Sequence, residues 1–156
     1  MGDYRKSHVA KDCGSYYDGI YADAGRIADA FYWEHFEKPL VSRLFAELSA
    51  HRRGSYLDFA AGTGRISVLA APCFDKVVCL DVSESMLKEA RKNLPQAEIH
   101  IADVTAQPVE IGRFRVISMF RFLLNAQPEL RENALRWVRS VMEPDGFLIV
   151  NNHMNT

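Results

Sequence analysis

The sequence has little of what marks several common classes of protein. Only 3 of its 156 residues are cysteine, and no two form a C-x-x-C pair. This predicts reduced thiols in a cytoplasmic protein, without a disulfide framework or a zinc site. The formal net charge of -1 lacks the basic excess of proteins that bind nucleic acid or anionic lipid. No apolar run approaches the roughly 18 residues of a membrane span. We therefore expect no nucleic-acid partner, no membrane partner and, since the histidines show no ligand spacing, no metal.

What is present is an ordinary globular composition, with an aromatic-rich first third. A chain of this length and apolar content predicts one domain, and the texture changes near Gly54. Residues 1–53 are expected to form a helical, aromatic cover segment, and residues 54–156 the core. Apolar residues recur at helical spacing after Pro39, which predicts a helix with one buried face, and a looser stretch before it. That stripe consists of Leu40, Val41, Leu44, Phe45 and Leu48, and Phe31, Trp33, Phe36 and Phe45 are expected to pack on a helical face.

After Gly54, short apolar runs alternate with amphipathic helical patterns. Strands are predicted at 56–60, 76–81, 97–102, 114–120 and 147–150. Helices are predicted from Arg65, after a Ser83 cap, and along the stripe from Leu130 to Met142. Near-continuous apolar strands separated by helices are typical of a parallel sheet covered on both faces. The sequence therefore predicts a doubly wound, mostly parallel α/β fold.

Two acids and a glycine turn fall where such sheets bind ligands, outside the carboxyl ends of the strands. Gly62 and Gly64 follow the first strand, and Asp81 ends the second strand 19 residues after Gly62, where a carboxylate can bind both ribose hydroxyls. Asp103 ends the third strand, where it could accept a hydrogen bond from an adenine amino group. Together they indicate an adenosine-type ligand. The alternative is structural: the glycines could only form a tight turn, and Asp103 could only cap one.

From Tyr56 to Val150 the chain resembles the class I S-adenosylmethionine-dependent methyltransferases. The resemblance is carried by 58–64 (DFAAGTG), 78–81 (VCLD), 102–104 (ADV), 114–118 (FRVIS) and 141–146 (VMEPDG). It implies a Rossmann-like methyltransferase fold, S-adenosylmethionine as cofactor and S-adenosylhomocysteine as product. It further implies that cofactor-binding residues are Asp58, Ala60, Gly62 and Gly64 for the methionine part, Asp81 for the ribose, Val82, Met86, Asp103 and Val104 around the adenine, and Met119 from the fourth strand. Tyr17 and Tyr21 lie in a stretch similar to the aromatic leader that covers the cofactor in this family.

The chain departs from the family pattern in two places. Ala60 stands where the family most often has glycine. The family sheet usually continues with two more strands, whereas this sequence stops at Thr156, directly after the fifth. Phe147 to Val150 would then form an exposed apolar sheet edge, which proteins normally cover. We expect either a truncated piece of a longer enzyme or a homodimer that covers this edge.

The expected reaction is direct methyl transfer to a small-molecule acceptor, with Arg121 and His153 as candidate catalytic residues past the fourth and fifth strands. Each has a simpler explanation as a solvated polar residue. Two alternatives stay open. One is an NAD-dependent dehydrogenase, against which Ser67 takes the place of the third glycine in G-x-G-x-x-G. The other is a non-catalytic module or fragment that only binds the cofactor.

Overall fold

Five parallel strands form one sheet in the computed structural model, which describes residues 30–107 and 109–151. The strands are β1 (Ser55–Phe59), β2 (Lys76–Asp81), β3 (Glu98–Ile101), β4 (Phe114–Phe120) and β5 (Met142–Asn151). Their order is β3-β2-β1-β4-β5, and every neighbouring pair is parallel. The chain moves outward from β1 to β3 and returns beside β1 as β4, so the strand order reverses between β1 and β4. The predicted doubly wound sheet is confirmed.

Helices connect the strands and cover the sheet. They are α1 (Lys38–Ser49), α2 (Arg65–Ala70), α3 (Glu84–Asn93), α4 (Phe122–Asn125) and α5 (Pro128–Val141). The predicted Ser83 cap is present, since its hydroxyl accepts the backbone N–H of Met86 at 3.4 Å. Among the described residues, no helix combines the length and apolar character needed to cross a membrane.

The sheet has a core on each face because successive side chains of a strand point to opposite sides. Leu57 and Phe59 of β1 belong to a cluster with α5, whereas Tyr56 packs with Phe45 of α1 and with Phe74. Helix α1 therefore shares the core of the sheet that follows it in sequence.

The chain before Pro39 is helical, so the expected looser stretch is wrong for residues 30–38. Residues Trp33–Glu37 form a π-helical turn, in which the Lys38 N–H bonds to the Trp33 carbonyl. Proline has no N–H with which to continue the normal α-helical ladder, and a wider turn absorbs that defect. Pro39 therefore lies inside a continuous helical segment.

Part of the predicted buried face of this segment is exposed. Val41 and Phe45 are buried as expected, but Leu40 is 68% exposed, and Phe31 and Phe36 are each 55% exposed. The expectation that Phe31 and Phe36 pack in a helical face is wrong, because the side of the helix that carries them does not pack against the described sheet. Their rings contact each other and other side chains of the same segment instead.

Strand β5 begins at Met142, directly after α5, and thus five residues earlier than predicted. Met142 pairs with Phe114 and Phe147 with Val116, so β5 carries extra residues in a bulge. Gly146 permits that bulge, since a Cβ there would lie 3.0 Å from the carbonyl oxygens of Arg115 and Glu143. Beyond the bulge β5 is an edge of the described sheet, with Phe147 45% and Val150 43% exposed. The predicted apolar edge is confirmed.

Candidate functional site

A cleft lies at the carboxyl ends of β1, β2 and β3, beside the point where the strand order reverses. It measures ≈ 480 Å³ with its open mouth and is lined mainly by apolar side chains. The lining residues are Phe59, Ala60, Leu80, Asp81, Val82, Ala102, Asp103, Val104, Thr105, Phe122 and Leu130. An apolar cleft with a few convergent polar groups is typical of a small-molecule site.

The turn after β1 is held by left-handed backbone. Ala60, Gly62 and Gly64 have φ values of 59°, 56° and 78°. Gly64 is also needed for packing, because a Cβ there would lie 3.1 Å from the Ala90 Cβ on α3. At Gly62 the nearest atom would be the flexible Met86 Cε, at 3.3 Å. The turn thus lies tightly against α3. At Gly62 a Cβ would meet only the end of the flexible Met86 side chain, which can move aside.

Asp81 organises this turn from the end of β2. Its carboxylate accepts the Gly62 N–H on Oδ2 and the Ser83 N–H on Oδ1, each at 2.8 Å. The side chain is 9% exposed and lines the cleft. Asp81 therefore holds the turn from the wall of the cleft.

Asp103 lines the cleft and also caps a turn. Its Oδ1 accepts the backbone N–H of Thr105 at 3.0 Å and the Thr105 hydroxyl at 2.5 Å. Its carbonyl oxygen accepts N–H groups from Ala106 and Gln107. The turn role considered for Asp103 is therefore real, and it fixes the carboxylate at the cleft wall.

Asp58, on β1, is 2% exposed and belongs to a chain of polar groups. Ser67 of α2 donates to its Oδ2 at 2.6 Å and Ser118 of β4 to its Oδ1 at 2.7 Å. The Tyr56 hydroxyl lies 2.6 Å from Ser118, and the Cys79 thiol donates to Ser67 at 3.1 Å. Burial raises the pKa of Asp58 from 3.8 to about 6, although both serines oppose the shift. Burial likewise raises the pKa of the Cys79 thiol to about 12, so this cysteine stays protonated.

A second polar cluster joins the π-helical turn to the ends of β4 and β5. The Arg121 N–H donates to Asn151 Oδ1 at 2.7 Å, and Asn151 Nδ2 donates to Glu37 Oε1 at 2.6 Å. The Arg121 guanidinium lies 3.6 Å from Glu37 Oε2, and Glu37 is 8% exposed. Arg121 has a φ of 58°. Ala60 and Arg121, the two non-glycine residues with positive φ in the described chain, thus follow β1 and β4 on either side of the strand-order reversal.

The structure gathers five of the predicted site residues in the cleft lining: Ala60, Asp81, Val82, Asp103 and Val104. That lining does not include Asp58, Gly62, Gly64 or Met86, and Arg121 directly precedes Phe122, which is part of it. Met119 has no exposed surface and belongs to the apolar core, although it pairs with Phe59, the last residue of β1. Tyr17, Tyr21 and His153 lie outside the described residues.

Sequence reasoning missed several residues of the site. Phe122 and Leu130 are apolar residues whose pattern predicts only packing, and Thr105 is a common turn residue. No sequence pattern points to Glu37 as a site residue, because its partner Asn151 is 114 residues away. The two described cysteines are free, and across the described ranges no group of His, Cys, Asp or Glu is arranged to hold a metal ion.

Comparison with known proteins identifies a family model and a curated protein to which this chain is similar. The family model described as "Methyltransferase domain" matches residues 57–146. A demethylmenaquinone methyltransferase from Renibacterium salmoninarum is 34% identical over 94 residues, which are 60% of this chain and 39% of that protein.

Solved structures share the fold. DesVI from Streptomyces venezuelae is 27% identical with a TM-score of 0.63, over 83% of this chain and 57% of its own. CalS10 from Micromonospora echinaspora, an amino pentose methyltransferase solved with bound S-adenosylmethionine, is 23% identical with a TM-score of 0.64, over 80% and 55%. The chain therefore spans 39% of the curated relative and 57% of DesVI.

Proposed function

Because the chain belongs to the methyltransferase-domain family, we propose that it transfers the methyl group of S-adenosylmethionine to a small-molecule acceptor. The observation that carries this proposal is the joint placement of Asp81 and Asp103 on the wall of one cleft, directly beside the Gly62 turn. A glycine turn with two carboxylates at successive strand ends suits the ribose and the adenine of an adenosyl group.

The residues of the cleft fit such a ligand. Asp81 offers acceptor positions to the ribose hydroxyls, and Asp103 offers a fixed carboxylate to the exocyclic amino group. Val82 and Val104 supply apolar walls for the base. CalS10, whose structure contains bound S-adenosylmethionine, shares the fold of this chain.

The acceptor would lie at the ends of β4 and β5. A bound S-adenosylmethionine would supply a methyl group made reactive by the positively charged sulfur that carries it, which suits direct displacement by an acceptor atom. The protein's part is to orient the acceptor and exclude water. Arg121 is the described residue placed to orient it, since both its backbone and its side chain are held by the Glu37–Asn151 cluster. His153 stays a candidate proton acceptor from the sequence alone.

Small molecules are the acceptor class we favour. The net charge of -1 offers no general attraction for nucleic acid, and CalS10 is described as acting on an amino pentose.

We further propose a cytoplasmic location, which free cysteines suit, and a functional boundary near residue 53 between the cover segment and the core. The exposed edge of β5 is a proposed contact for a second copy of the chain or for the remainder of a longer one. Light scattering across a concentration series tests the dimer.

The test of the function is calorimetric titration with S-adenosylhomocysteine, with NAD as the competing ligand. We expect micromolar binding of S-adenosylhomocysteine, loss of that binding in Asp81→Ala, and none with NAD. Asp75→Asn is the matched control, because Asp75 is an exposed carboxylate at the opposite end of β2. Circular dichroism must show that Asp81→Ala is folded, since Asp81 also holds the turn. Binding of NAD instead, or equal binding by Asp81→Ala, contradicts the proposal. A screen of small amines and alcohols for product formation then identifies the acceptor.

A further inference from the structure

The turn between β4 and α4 is left-handed at a residue that rarely adopts this conformation. Arg121 has a φ of 58° and a ψ of 7°, and it is the N-cap of α4. A residue other than glycine is strained there, so the conformation persists only where its surroundings hold it. Because β4 is fixed in the sheet, the dihedral angles of Arg121 set the direction in which α4 leaves the strand. Whatever holds Arg121 therefore also fixes the position of α4.

Phe122, the first residue of α4, is placed on the cleft by this turn. It is buried and lines the cleft beside Phe59, with the two ring centroids 5.0 Å apart and the ring planes at 78°. If Arg121 relaxed to a right-handed conformation, the chain beyond it would turn, and Phe122 would leave this edge-to-face contact. The conformation of Arg121 thus decides whether one apolar wall of the cleft is in place.

A relay of two side chains holds Arg121 from the start of α1. Asn151 Nδ2 donates to Glu37 Oε1 at 2.6 Å, and the Arg121 N–H donates to Asn151 Oδ1 at 2.7 Å. An ionised carboxylate only accepts hydrogen bonds, so it binds the NH₂ end of the Asn151 amide and leaves the carbonyl oxygen for Arg121. Glu37 Oε2 also lies 3.6 Å from the Arg121 guanidinium. Glu37 thus orients the Asn151 amide and contacts the Arg121 side chain.

The segment that carries Glu37 is anchored on both sides of the strand-order reversal. Trp33 begins the π-helical turn that Glu37 ends, and the Arg65 guanidinium lies over the Trp33 ring, 4.2 Å from its centroid. Arg65 starts α2 directly after the turn that follows β1. The π-helical turn therefore contacts the residue after the β1 turn through Trp33, and the residue after β4 through Glu37. These two contacts fix Glu37 relative to both strands.

We propose that Glu37 is a positioning residue for the cleft: through Asn151 it holds Arg121 in the left-handed conformation that keeps Phe122 on the cleft wall. The inference rests on the proposed function, in which the cleft binds the adenosyl cofactor. Affinity for the cofactor thus depends on the helical segment that precedes the sheet. Without Glu37, Arg121 relaxes and only a minor fraction of the protein keeps the complete wall, so the apparent affinity falls in proportion to that fraction.

Calorimetric titration of the full chain with S-adenosylhomocysteine tests this without an acceptor. Glu37→Ala should weaken binding by about tenfold, the population penalty expected when a left-handed residue other than glycine is released. Val41→Ala controls for lost stability, because Val41 is buried on α1 in the core and takes no part in the relay. It should bind as the wild type does. Circular dichroism at the titration temperature shows whether each variant is folded.

An exchange of side chains separates the relay from a general packing role. Asn151→Asp places a second carboxylate against Glu37 and should weaken binding as much as Glu37→Ala does. In the double variant Glu37→Gln/Asn151→Asp, the amide at position 37 donates to the carboxylate at position 151, whose other oxygen accepts the Arg121 N–H. This variant should recover an affinity within about threefold of the wild type, since the hydrogen-bond pattern is restored.

A glycine at position 121 tests the backbone step directly. Glycine adopts left-handed backbone without strain, so the turn no longer depends on the relay. In an Arg121→Gly background, Glu37→Ala should therefore change affinity by less than about twofold. A tenfold loss in that background would contradict the proposed route through Arg121.

The other possible results also divide cleanly. If the wild type binds and Glu37→Ala binds equally well, or if Val41→Ala weakens binding as much, positioning by Glu37 is overturned while the proposed function stands. The same holds if the double variant binds no better than Asn151→Asp. If the wild type does not bind S-adenosylhomocysteine, the proposed function itself fails. Should Glu37→Ala not fold, Asn151→Asp and its recovery in the double variant decide the question.

Discussion

Gly64 and Gly112 offer a matched pair of substitutions that separates backbone strain from lack of space. Both have a positive φ, 78° and 90°, so an alanine at either pays about 1–2 kcal/mol for left-handed backbone. A Cβ at Gly112 would meet nothing within 4 Å. A Cβ at Gly64 would lie 3.1 Å from the Ala90 Cβ and 3.2 Å from the Leu94 Cδ1, contacts that force α3 to shift. Overpacking of this kind adds about 1–3 kcal/mol.

We therefore expect Gly64→Ala to lower the free energy of unfolding by about 2–4 kcal/mol, and Gly112→Ala by about 1 kcal/mol. Urea unfolding followed by circular dichroism measures both, and the reduced unfolded-state freedom of alanine cancels between the two variants. If Gly64→Ala is no more destabilising than Gly112→Ala, the close packing of the turn against α3 is not what requires glycine there.

Three further predictions concern single side chains. The pKa of Asp58 rises on folding from 3.8 to about 6, so the folded state binds the proton more tightly and loses stability as pH rises. Wild type should lose about 2 kcal/mol relative to Asp58→Asn between pH 4 and 7.5 in urea unfolding; parallel pH profiles would contradict this. Ala60→Gly relieves the strain of a φ of 59° and should raise the free energy of unfolding, measured in urea, by about 0.5 kcal/mol. A lower free energy of unfolding would instead show that packing of the Ala60 methyl group outweighs the backbone strain. Glu37→Ala removes the carboxylate that accepts the Asn151 amide N–H and should lower the free energy of unfolding by about 1–3 kcal/mol. The control Glu34→Ala, which removes an exposed ion pair with Lys38, should lower it by less than about 0.5 kcal/mol.

Local patterns in the sequence predicted most of the fold. The bounds of β2 and β4, the Ser83 cap and the start of α2 follow from apolar runs and from residues whose preferences act over a few positions. The 19-residue spacing between Gly62 and Asp81 likewise reflects a contact that the structure contains, since the Asp81 carboxylate accepts the Gly62 N–H. Such features are visible in sequence because the interacting groups belong to one strand–turn–helix–strand unit.

Other features depended on what the tertiary structure brings together. Exposure of Phe31 and Phe36 depends on which side of their helix meets the sheet, and apolar composition alone does not determine that. The early start of β5 depends on a bulge that Gly146 permits against the neighbouring strand.

The same holds for the polar groups. The sequence by itself determined that a glycine turn and two acids lie at successive strand ends, and this arrangement predicts an adenosine-type ligand there. Only the tertiary structure decided that Asp58 is buried between two serines with a raised pKa, and that Glu37 meets Asn151 beside Arg121. The reason is physical: hydrogen bonding, burial and charge coupling depend on distances in space between residues that no local preference relates.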